Sequence, residues 1–462
     1  MKFNQLIRLV LLFQVFALQF SCTKKDHSPN ILLIVADDMG WNDIGYHNPR
    51  ILTPNIDKLC AEGVELDNFY VYPTCSPTRA ALLTGRYASR FGIYHPIAMD
   101  SEKVLPTDVT TLPGILREQG YTTVITGKWH LGLSTDSGPL QYGFDYSYGF
   151  LHGQIDQETH RYKNGARTWH RMDQFVEEEG HATDLIANEA IKYIKTMADE
   201  DKPFFIYVPF SVPHYPVQES DQWVNPYRGI MEESRQLYAA SMTHMDDAIG
   251  KLITVLQEEG LRKNTLVVFM SDNGGQLNWS PKFEYDMRHG PYENLGDNSP
   301  LRGSKTELYE GGIRVPALFN WPAVLEPSKY QGLIKVTDLF ATFAAVEGIH
   351  GLEGMNLDGV NIWPFLTGEE SIENRELFLR TTSSLAYREG DWKLIHHAAT
   401  LEDAKEELFN IAIDPREEQN LIADQPEIYR LLWEKLKEQV EMEDQLQPPM
   451  DKQDQLQQET VN

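Results

Sequence analysis

Four short runs of aliphatic, aromatic and β-branched residues leave few folds open to this chain. Each run is five or six residues long. Such runs are typical of strands that are buried on both faces, as in a parallel sheet covered by helices. The four runs are Ile31–Ala36, Tyr121–Thr126, Phe204–Val208 and Leu266–Met270.

Helical patterns alternate with these runs along the chain. They span Thr111–Gln119, Asp184–Met197 and Glu232–Glu259, and glycines follow the first and the last of them. Glycine is common just beyond the end of a helix. This alternation predicts an α/β fold, and we expect a large mixed, mostly parallel sheet sandwiched by helices.

Polar residues follow each of the four runs at its carboxyl end. In an open parallel sheet, the ligand crevice lies outside the carboxyl ends of the strands. We therefore expect these side chains to share one edge of the sheet. They are Asp37 and Asp38, Lys128 and His130, His214, and Asp272 and Asn273.

The pattern changes after about residue 375. A hairpin around Glu389-Gly390, another short strand and an amphipathic helix predict a smaller C-terminal α+β subdomain with a small antiparallel sheet. We place the catalytic domain at residues 28–375, the subdomain at 376–444 and a disordered tail at 445–462. The three predicted elements are Ala386–Ile395, Glu407–Phe409 and Gln425–Met442.

Residues 1–22 have the pattern of an export signal. Lys2 and Arg8 accompany the apolar run Leu9–Phe20, which is too short for a comfortable transmembrane span. The polar stretch after Cys22 suggests lipoprotein processing with an acylated Cys22, and ordinary signal cleavage is the alternative left open. We expect an exported protein, periplasmic or anchored at the outer membrane or cell surface, that contacts membrane only through a lipid on Cys22.

The formal net charge of −27 excludes nucleic acid and anionic lipid as partners of the general surface. An anionic substrate would need a local basic pocket or a cation. The cysteines are Cys22, Cys60 and Cys75, too few for a disulfide framework, so the core must hold the exported protein together.

The most specific motif is Cys75–Arg86, with the sequence CSPTRAALLTGR. Pro77 suits the first turn of a helix, which places Cys75 at the helix N-terminus. Free backbone N–H groups there favour an anion such as sulfate. A buried cysteine beside a helix start is the plainer alternative for an isolated cysteine.

This motif resembles the formylglycine signature of the type I sulfatases of the alkaline phosphatase superfamily. A second signature of that family matches Gly120–Gly132, and the resemblance extends from Asn30 to about Leu421. It implies an alkaline phosphatase-like fold, one Ca²⁺ or Mg²⁺ ion and conversion of Cys75 to formylglycine. That conversion requires a partner, either a formylglycine-generating enzyme or an anaerobic sulfatase-maturating enzyme.

The resemblance also assigns roles to individual residues. The metal ligands it implies are Asp37, Asp38, Asp272, Asn273 and the converted Cys75. The catalytic residues it implies are Cys75, Arg79, Lys128, His130, His214 and Lys305. Arg302 is an alternative to Lys305 as the residue that contacts the sulfate.

The substrate implied by the resemblance is a sulfated carbohydrate. The segments Tyr142–Asp145 and Phe150–Gly153 resemble the arylsulfatase B-like branch, which removes sulfate from N-acetylgalactosamine 4-sulfate. A glycosaminoglycan or an algal polysaccharide fragment is the expected substrate. The segment that follows is either a sugar-binding loop or a solvated one. Its candidate sugar contacts are Asp156, His160, Arg161 and Trp169.

Two other functions stay open at this point. Related enzymes with the same metal site hydrolyse phosphonate monoesters or phosphodiesters. A non-catalytic glycan-binding protein is the second alternative, which is disfavoured because every catalytic position of the family is matched.

Overall fold

The computed structural model describes residues 28–99, 101–370 and 374–445. The predicted export signal with Cys22, and the predicted tail from residue 446 onward, lie outside these ranges. Within them, no helix combines the length and apolar character needed to cross a bilayer.

The strands of the described residues form one large sheet, a two-stranded pair and a separate C-terminal sheet. In chain order they are β1 Asn30–Asp37, β2 Val64–Leu66, β3 Phe69–Tyr70, β4 Thr122–Lys128, β5 Tyr146–Phe150, β6 Trp169–Arg171, β7 Gln174–Phe175, β8 Phe204–Pro213, β9 Thr265–Ser271, β10 Ala317–Asn320, β11 Ser328–Tyr330, β12 Ile334–Lys335, β13 Glu376–Arg380, β14 Leu385–Glu389, β15 Trp392–His396 and β16 Glu406–Asn410.

The large sheet has the strand order β11-β2-β10-β9-β1-β8-β4-β5-β6-β7. Its five central strands, from β9 to β5, are all parallel to one another. Antiparallel pairs flank this centre, namely β9 with β10 on one side and β5 with β6 on the other. The predicted large mixed, mostly parallel sheet is confirmed, and the four apolar runs are its adjacent strands β9, β1, β8 and β4.

Helices cover both faces of the large sheet. In chain order they are α1 Pro54–Ala61, α2 Cys75–Thr84, α3 Leu112–Glu118, α4 Ala182–Glu200, α5 Asp221–Val224, α6 Glu233–Glu258, α7 Glu310–Ile313, α8 Asp338–Val346, α9 Trp363–Leu366 and α10 Pro426–Asp444.

The sequence of strand β1 lacks the alternation of apolar and polar residues that a half-exposed strand shows, and the position of the strand explains why. Successive side chains point to opposite faces of a sheet. Ile31 and Leu33 pack in a core on the face of α2, α3 and α8. Leu32 and Ile34 pack in a second core with α4 and α6. Both faces are buried, so every residue of the strand is protected from solvent.

The C-terminal sheet is antiparallel throughout, in the order β13-β14-β15-β16, and α10 packs against it. The predicted hairpin is confirmed, because Glu389 pairs with Trp392 across a turn in which Gly390 has a φ of 54°. The predicted C-terminal helix is also present. Leu394 and Leu436 belong to the same core as Leu33, so the boundary at 375/376 remains a prediction.

A buried ion cluster joins the two sheets. The Lys393 ammonium on β15 lies 2.9 Å from Glu310 at the start of α7 and 2.9 Å from Glu417, and all three side chains are fully buried. A Glu417 carboxylate oxygen also accepts the backbone N–H of Glu310. Buried charges are tolerated only when they are paired and hydrogen-bonded, so each member depends on the others.

We expect Lys393→Met to destabilise the fold, because two buried carboxylates would then lack their shared cation. The expected loss in the free energy of unfolding is about 3–5 kcal/mol, measured as a lower urea midpoint. The control is Lys202→Met, which removes an exposed pair with Glu200 and should cost about 0–1 kcal/mol. Equal midpoints for the two variants would contradict a stabilising role for the cluster.

Candidate active site

The carboxyl ends of four adjacent strands meet at one edge of the large sheet, as the sequence predicts. Asp37 ends β1 and Lys128 ends β4, while Asp272 follows β9 and His214 follows β8. The neighbouring order of the strands brings these residues together. The geometry places them at one site, and their individual roles remain predictions.

Three buried carboxylates form the centre of this site. Asp37 and Asp272 are fully buried, and Asp38 is 1% exposed. The backbone N–H of Asp38 donates to a carboxylate oxygen of Asp272 at 3.1 Å. Asp38 has a φ of 70°, a left-handed conformation that non-glycine residues rarely adopt and that occurs most often at functional sites.

Two lysines pair with the first two carboxylates. Lys128 donates from Nζ to both carboxylate oxygens of Asp37, at 2.8 and 2.9 Å. Lys305 donates from Nζ to a carboxylate oxygen of Asp38 at 2.7 Å. Both lysines are largely or fully buried, so each depends on its partner for charge compensation.

Arg79 binds the third carboxylate and connects it to strand β4. Its Nε and Nη2 donate to one oxygen of Asp272 at 3.1 and 2.6 Å. Its Nη1 donates to the backbone carbonyl of Lys128 at 3.1 Å. Arg79 is 1% exposed, so the alternative of a helix-surface charge is excluded.

The residues at this site fit a hard divalent cation. Asn273 donates from its amide nitrogen to Asp38 at 2.8 Å, while its amide oxygen is buried without a hydrogen-bond partner among the described residues. Burial raises the pKa of Asp37 to about 8, against the opposing effect of Lys128. A cation bound by oxygen ligands would satisfy the amide oxygen and stabilise the carboxylates.

Cys75 is the first residue of α2, at the carboxyl edge of the sheet. Its Sγ lies 3.1 Å from Nδ1 of His130, and the side chain is 2% exposed. Burial raises the pKa of the thiol, while Lys128 and Lys305 oppose that rise. The predicted helix start is confirmed, so position 75 faces both the helix N-terminus and the cationic groups.

Hydrogen bonds to backbone carbonyls orient the two histidines. His130 bonds through Nε2 to the carbonyl oxygen of Ile97 at 3.2 Å, so Nε2 carries the proton and Nδ1 is free to accept. His214 bonds through Nδ1 to the carbonyl of Tyr215 at 2.6 Å, and its Nε2 lies 3.6 Å from Asp38. Burial, reinforced by nearby lysines, lowers the pKa of both imidazoles well below the usual value.

The structure distinguishes Lys305 from its alternative, Arg302. The guanidinium of Arg302 lies over the ring of Tyr309 and donates to the carbonyl of Glu417 at 2.7 Å. Arg302 therefore contacts the C-terminal region through Glu417, whereas Lys305 contacts the carboxylate of Asp38.

The candidate sugar contacts lie close to one another, because the backbone of Asp156 hydrogen-bonds to that of His160 and that of Arg161, each at 2.9 Å. His160 and Trp169 stack with ring centroids 4.5 Å apart and are each 2% exposed. Trp169 belongs to the second core, and a role of these residues in sugar binding stays a prediction. Asp156 is buried and bonds to His289 at 2.9 Å, and Arg161 pairs with Glu177.

Two serines support the site without having been identified from the sequence. Ser76 donates to the backbone carbonyl of His130 at 2.8 Å, and the backbone N–H of Ile97 donates to Ser76 at 3.1 Å. Ser271 accepts the N–H of Met39 at 3.0 Å. Their positions inside the Cys75 motif and directly before Asp272 are the signals that could have identified them.

A second group of metal-ligand types is separate from the three buried carboxylates. Suitable atoms of His181, Glu219 and His244 lie within 4.8 Å of one another. Both ring nitrogens of His181 have partners, because Nδ1 accepts the N–H of Thr183 and Nε2 bonds to the carbonyl of Gln218. His244 bonds to Glu219 at 2.9 Å, so these residues form a hydrogen-bonded ion-pair network.

Comparison with known proteins identifies the family. A sequence model of the family described as Sulfatase matches residues 29–349. The chain belongs to the sulfatase family. The predicted type I sulfatase resemblance is confirmed.

Curated relatives of the chain are sulfatases of several kinds. Arylsulfatase J of Mus musculus is 34% identical over 350 residues, covering 72% of this chain and 55% of the relative. N-acetylgalactosamine-6-sulfatase of Homo sapiens is 34% identical over 387 residues, covering 79% of this chain and 71% of the relative. The chain thus matches little more than half the length of arylsulfatase J. The narrower expectation of an arylsulfatase B-like branch stays a prediction.

Solved structures confirm the fold. Ps i-CgsB in complex with k-i-k-neocarrahexaose aligns with a TM-score of 0.80 at 30% identity, covering 89% of this chain and 92% of that one. The PsFucS1 sulfatase from Pseudoalteromonas sp. aligns with a TM-score of 0.76 at 25% identity, covering 93% of each chain.

We expect Asn273→Ala to weaken cation binding at this site, because the unpaired amide oxygen is an implied ligand. Calorimetric titration of the chelator-treated protein with CaCl₂ should show at least about a tenfold rise in Kd. The control is Asn30→Ala, which removes a buried asparagine at the amino end of β1. Unchanged calcium affinity in Asn273→Ala would contradict the assignment.

Proposed function

We propose that this chain hydrolyses sulfate monoesters on a sulfated carbohydrate, with formylglycine at position 75 and one Ca²⁺ or Mg²⁺ ion. The observation that carries the proposal is the position of Cys75. It lies at a helix N-terminus, in contact with His130, where three buried acids and three buried cations converge. Membership of the sulfatase family supports the same conclusion.

Conversion of Cys75 to a hydrated aldehyde would supply two hydroxyl groups, one to attack sulfur and one to release sulfate afterwards. His130 presents an unprotonated Nδ1 towards position 75, so it is placed to accept a proton from that side chain. A serine or cysteine at position 75 would lack the second hydroxyl.

His214 is the proposed acid for the departing alcohol. Its Nδ1 is committed to the carbonyl of Tyr215, which leaves Nε2 to carry the transferable proton. Burial and the lysines lower the pKa of His214 in the substrate-free protein. A bound sulfate ester adds a negative charge near the imidazole, which favours its protonated form.

The cationic groups explain how an acidic protein binds an anion. Lys128 and Lys305 flank the site, and Arg79 fixes Asp272. A divalent cation held by Asp37, Asp38, Asp272, Asn273 and the converted side chain at position 75 would act as a Lewis acid on the sulfuryl group. The positively charged groups stabilise negative charge on the sulfuryl oxygens.

A carbohydrate substrate is supported by the relatives. One relative removes sulfate as an N-acetylgalactosamine-6-sulfatase, and one structural neighbour is a complex with k-i-k-neocarrahexaose. Tyr215, beside His214, stacks on Trp279 with ring centroids 4.4 Å apart. Aromatic faces of this kind suit the apolar face of a sugar. We therefore propose a glycosaminoglycan or an algal polysaccharide fragment as the substrate.

The proposal also includes the cellular location of the protein and the enzyme that modifies it. Such glycans are met outside the cytoplasm, which agrees with the predicted export signal and the proposed lipid anchor on Cys22. The partner that converts Cys75 is proposed to be a formylglycine-generating or anaerobic sulfatase-maturating enzyme.

We expect protein co-expressed with a formylglycine-generating enzyme to release sulfate from N-acetylgalactosamine sulfate disaccharides or from the intact sulfated polymer. Ion chromatography measures the sulfate, with 4-sulfated and 6-sulfated disaccharides compared in parallel. Cys75→Ala should lower the rate by at least about 10³-fold, because it removes the nucleophile.

The mass of the peptide containing residue 75 is the control for conversion. Absence of release by converted protein from every sulfated saccharide would contradict a carbohydrate substrate. Faster cleavage of an aryl phosphonate than of the matched aryl sulfate would favour the phosphonate hydrolase alternative. Equal rates for Cys75→Ala and the parent would exclude a nucleophilic role for position 75.

A further inference from the structure

His152 is a nearly buried histidine beside the candidate active site that the proposed chemistry does not use. It lies two residues after β5, the strand next to β4, and 7% of its surface is exposed. A Cβ on Gly153 would lie 2.5 Å from the ring of His130. The backbone at 152–153 therefore passes directly against the imidazole that faces position 75.

Thr168 determines which ring nitrogen of His152 carries the proton. The Thr168 hydroxyl oxygen accepts the backbone N–H groups of Leu151, at 3.0 Å, and of His152, at 3.1 Å. Its own hydrogen is then available for Nδ1 of His152, which lies 2.8 Å away. Nδ1 is therefore an acceptor, and the ring proton of His152 is on Nε2.

The ring of His152 is neutral and held in place. Burial lowers the pKa of His152 to about 4, so the imidazole is uncharged at neutral pH. Its ring packs against Tyr162 with centroids 4.4 Å apart. The combination of this stacking and the bond to Thr168 fixes the direction of the Nε2–H group.

The Nε2–H group is an unused donor. It has no hydrogen-bond partner among the described residues, and it retains access to solvent. Binding sites use a small number of fixed polar groups of this kind to orient a ligand and select it. A hydrogen-bond donor that the protein orients but does not use is suited to bind an acceptor atom of the substrate.

We propose that His152 donates a hydrogen bond from Nε2 to a hydroxyl oxygen of the sulfated sugar residue and thereby selects among sugars. The inference rests on the proposed sulfatase function and deepens it. Sulfuryl oxygens carry negative charge and are matched by the lysines, Arg79 and a cation. A neutral imidazole N–H group is better matched to a neutral hydroxyl.

The test compares three proteins on the sulfated saccharide that the parent hydrolyses, each converted at position 75 and loaded with Ca²⁺. His152→Phe keeps the ring packing on Tyr162 and removes the donor. His152→Gln is the conservative control, because its amide nitrogen can occupy the region of Nε2 and donate there. Thermal melting and the hydrolysis rate of an aryl sulfate, which lacks sugar hydroxyls, check that the fold and the chemistry are intact.

We expect His152→Phe to lower kcat/KM on the sugar sulfate about tenfold, the usual effect of one hydrogen bond. His152→Gln should recover part of this loss, and neither variant should change aryl sulfate hydrolysis by more than about twofold. On the monodeoxy sugar that lacks the recognised hydroxyl, parent and His152→Phe should be equal, since neither makes the bond.

Several results would overturn the inference. They are unchanged kcat/KM of His152→Phe on the sugar sulfate, an equal loss on the aryl sulfate, and a loss that persists on every monodeoxy analogue. Failure of the converted parent to release sulfate from any ester would instead contradict the proposed function. The two failures are therefore distinguishable.

Discussion

The site depends on the pairing of three buried carboxylates with three buried cationic side chains at one edge of the sheet. Each carboxylate has its own cation, and Arg79 also ties Asp272 to the backbone of β4. A buried charge is strongly destabilising once its oppositely charged partner is lost. The parallel strands provide that fixed geometry, because their carboxyl ends are adjacent and their interiors are packed on both faces.

Hydrogen bonding to the backbone decides the chemistry available to each histidine. The carbonyl of Ile97 leaves Nδ1 of His130 as an acceptor towards position 75, and the carbonyl of Tyr215 leaves Nε2 of His214 facing Asp38. The side-chain hydroxyl of Thr168 sets the protonated nitrogen of His152 instead. Three rings of one residue type thus present an acceptor at His130, an Nε2 atom facing Asp38 at His214 and the proposed donor at His152.

The sequence predicted the central strands and the residues at their ends because continuous apolar runs and specific motifs are local signals. It did not predict the short strands β6 and β7, because they are only three and two residues long and pair across a tight turn, so no apolar run marks them. Burial was harder still to predict. His160 and Trp169 lie in a segment that reads as a polar loop, yet they stack on each other and are each 2% exposed. The sequence also could not separate Lys305 from Arg302, because the contacts of Arg302 depend on where the C-terminal region lies.

The ion cluster between the sheets connects the C-terminal region to the candidate active site. Glu310 begins α7, and the following residues contact the backbone beside Asn273, since the N–H of Gly274 donates to the carbonyl of Gly312 at 3.0 Å. A chain cut after residue 375 would keep Glu310 but lose both Lys393 and Glu417. Such a fragment would leave the Glu310 carboxylate without its buried cation, close to the backbone beside Asn273, so the C-terminal region acts as a structural support of the candidate site.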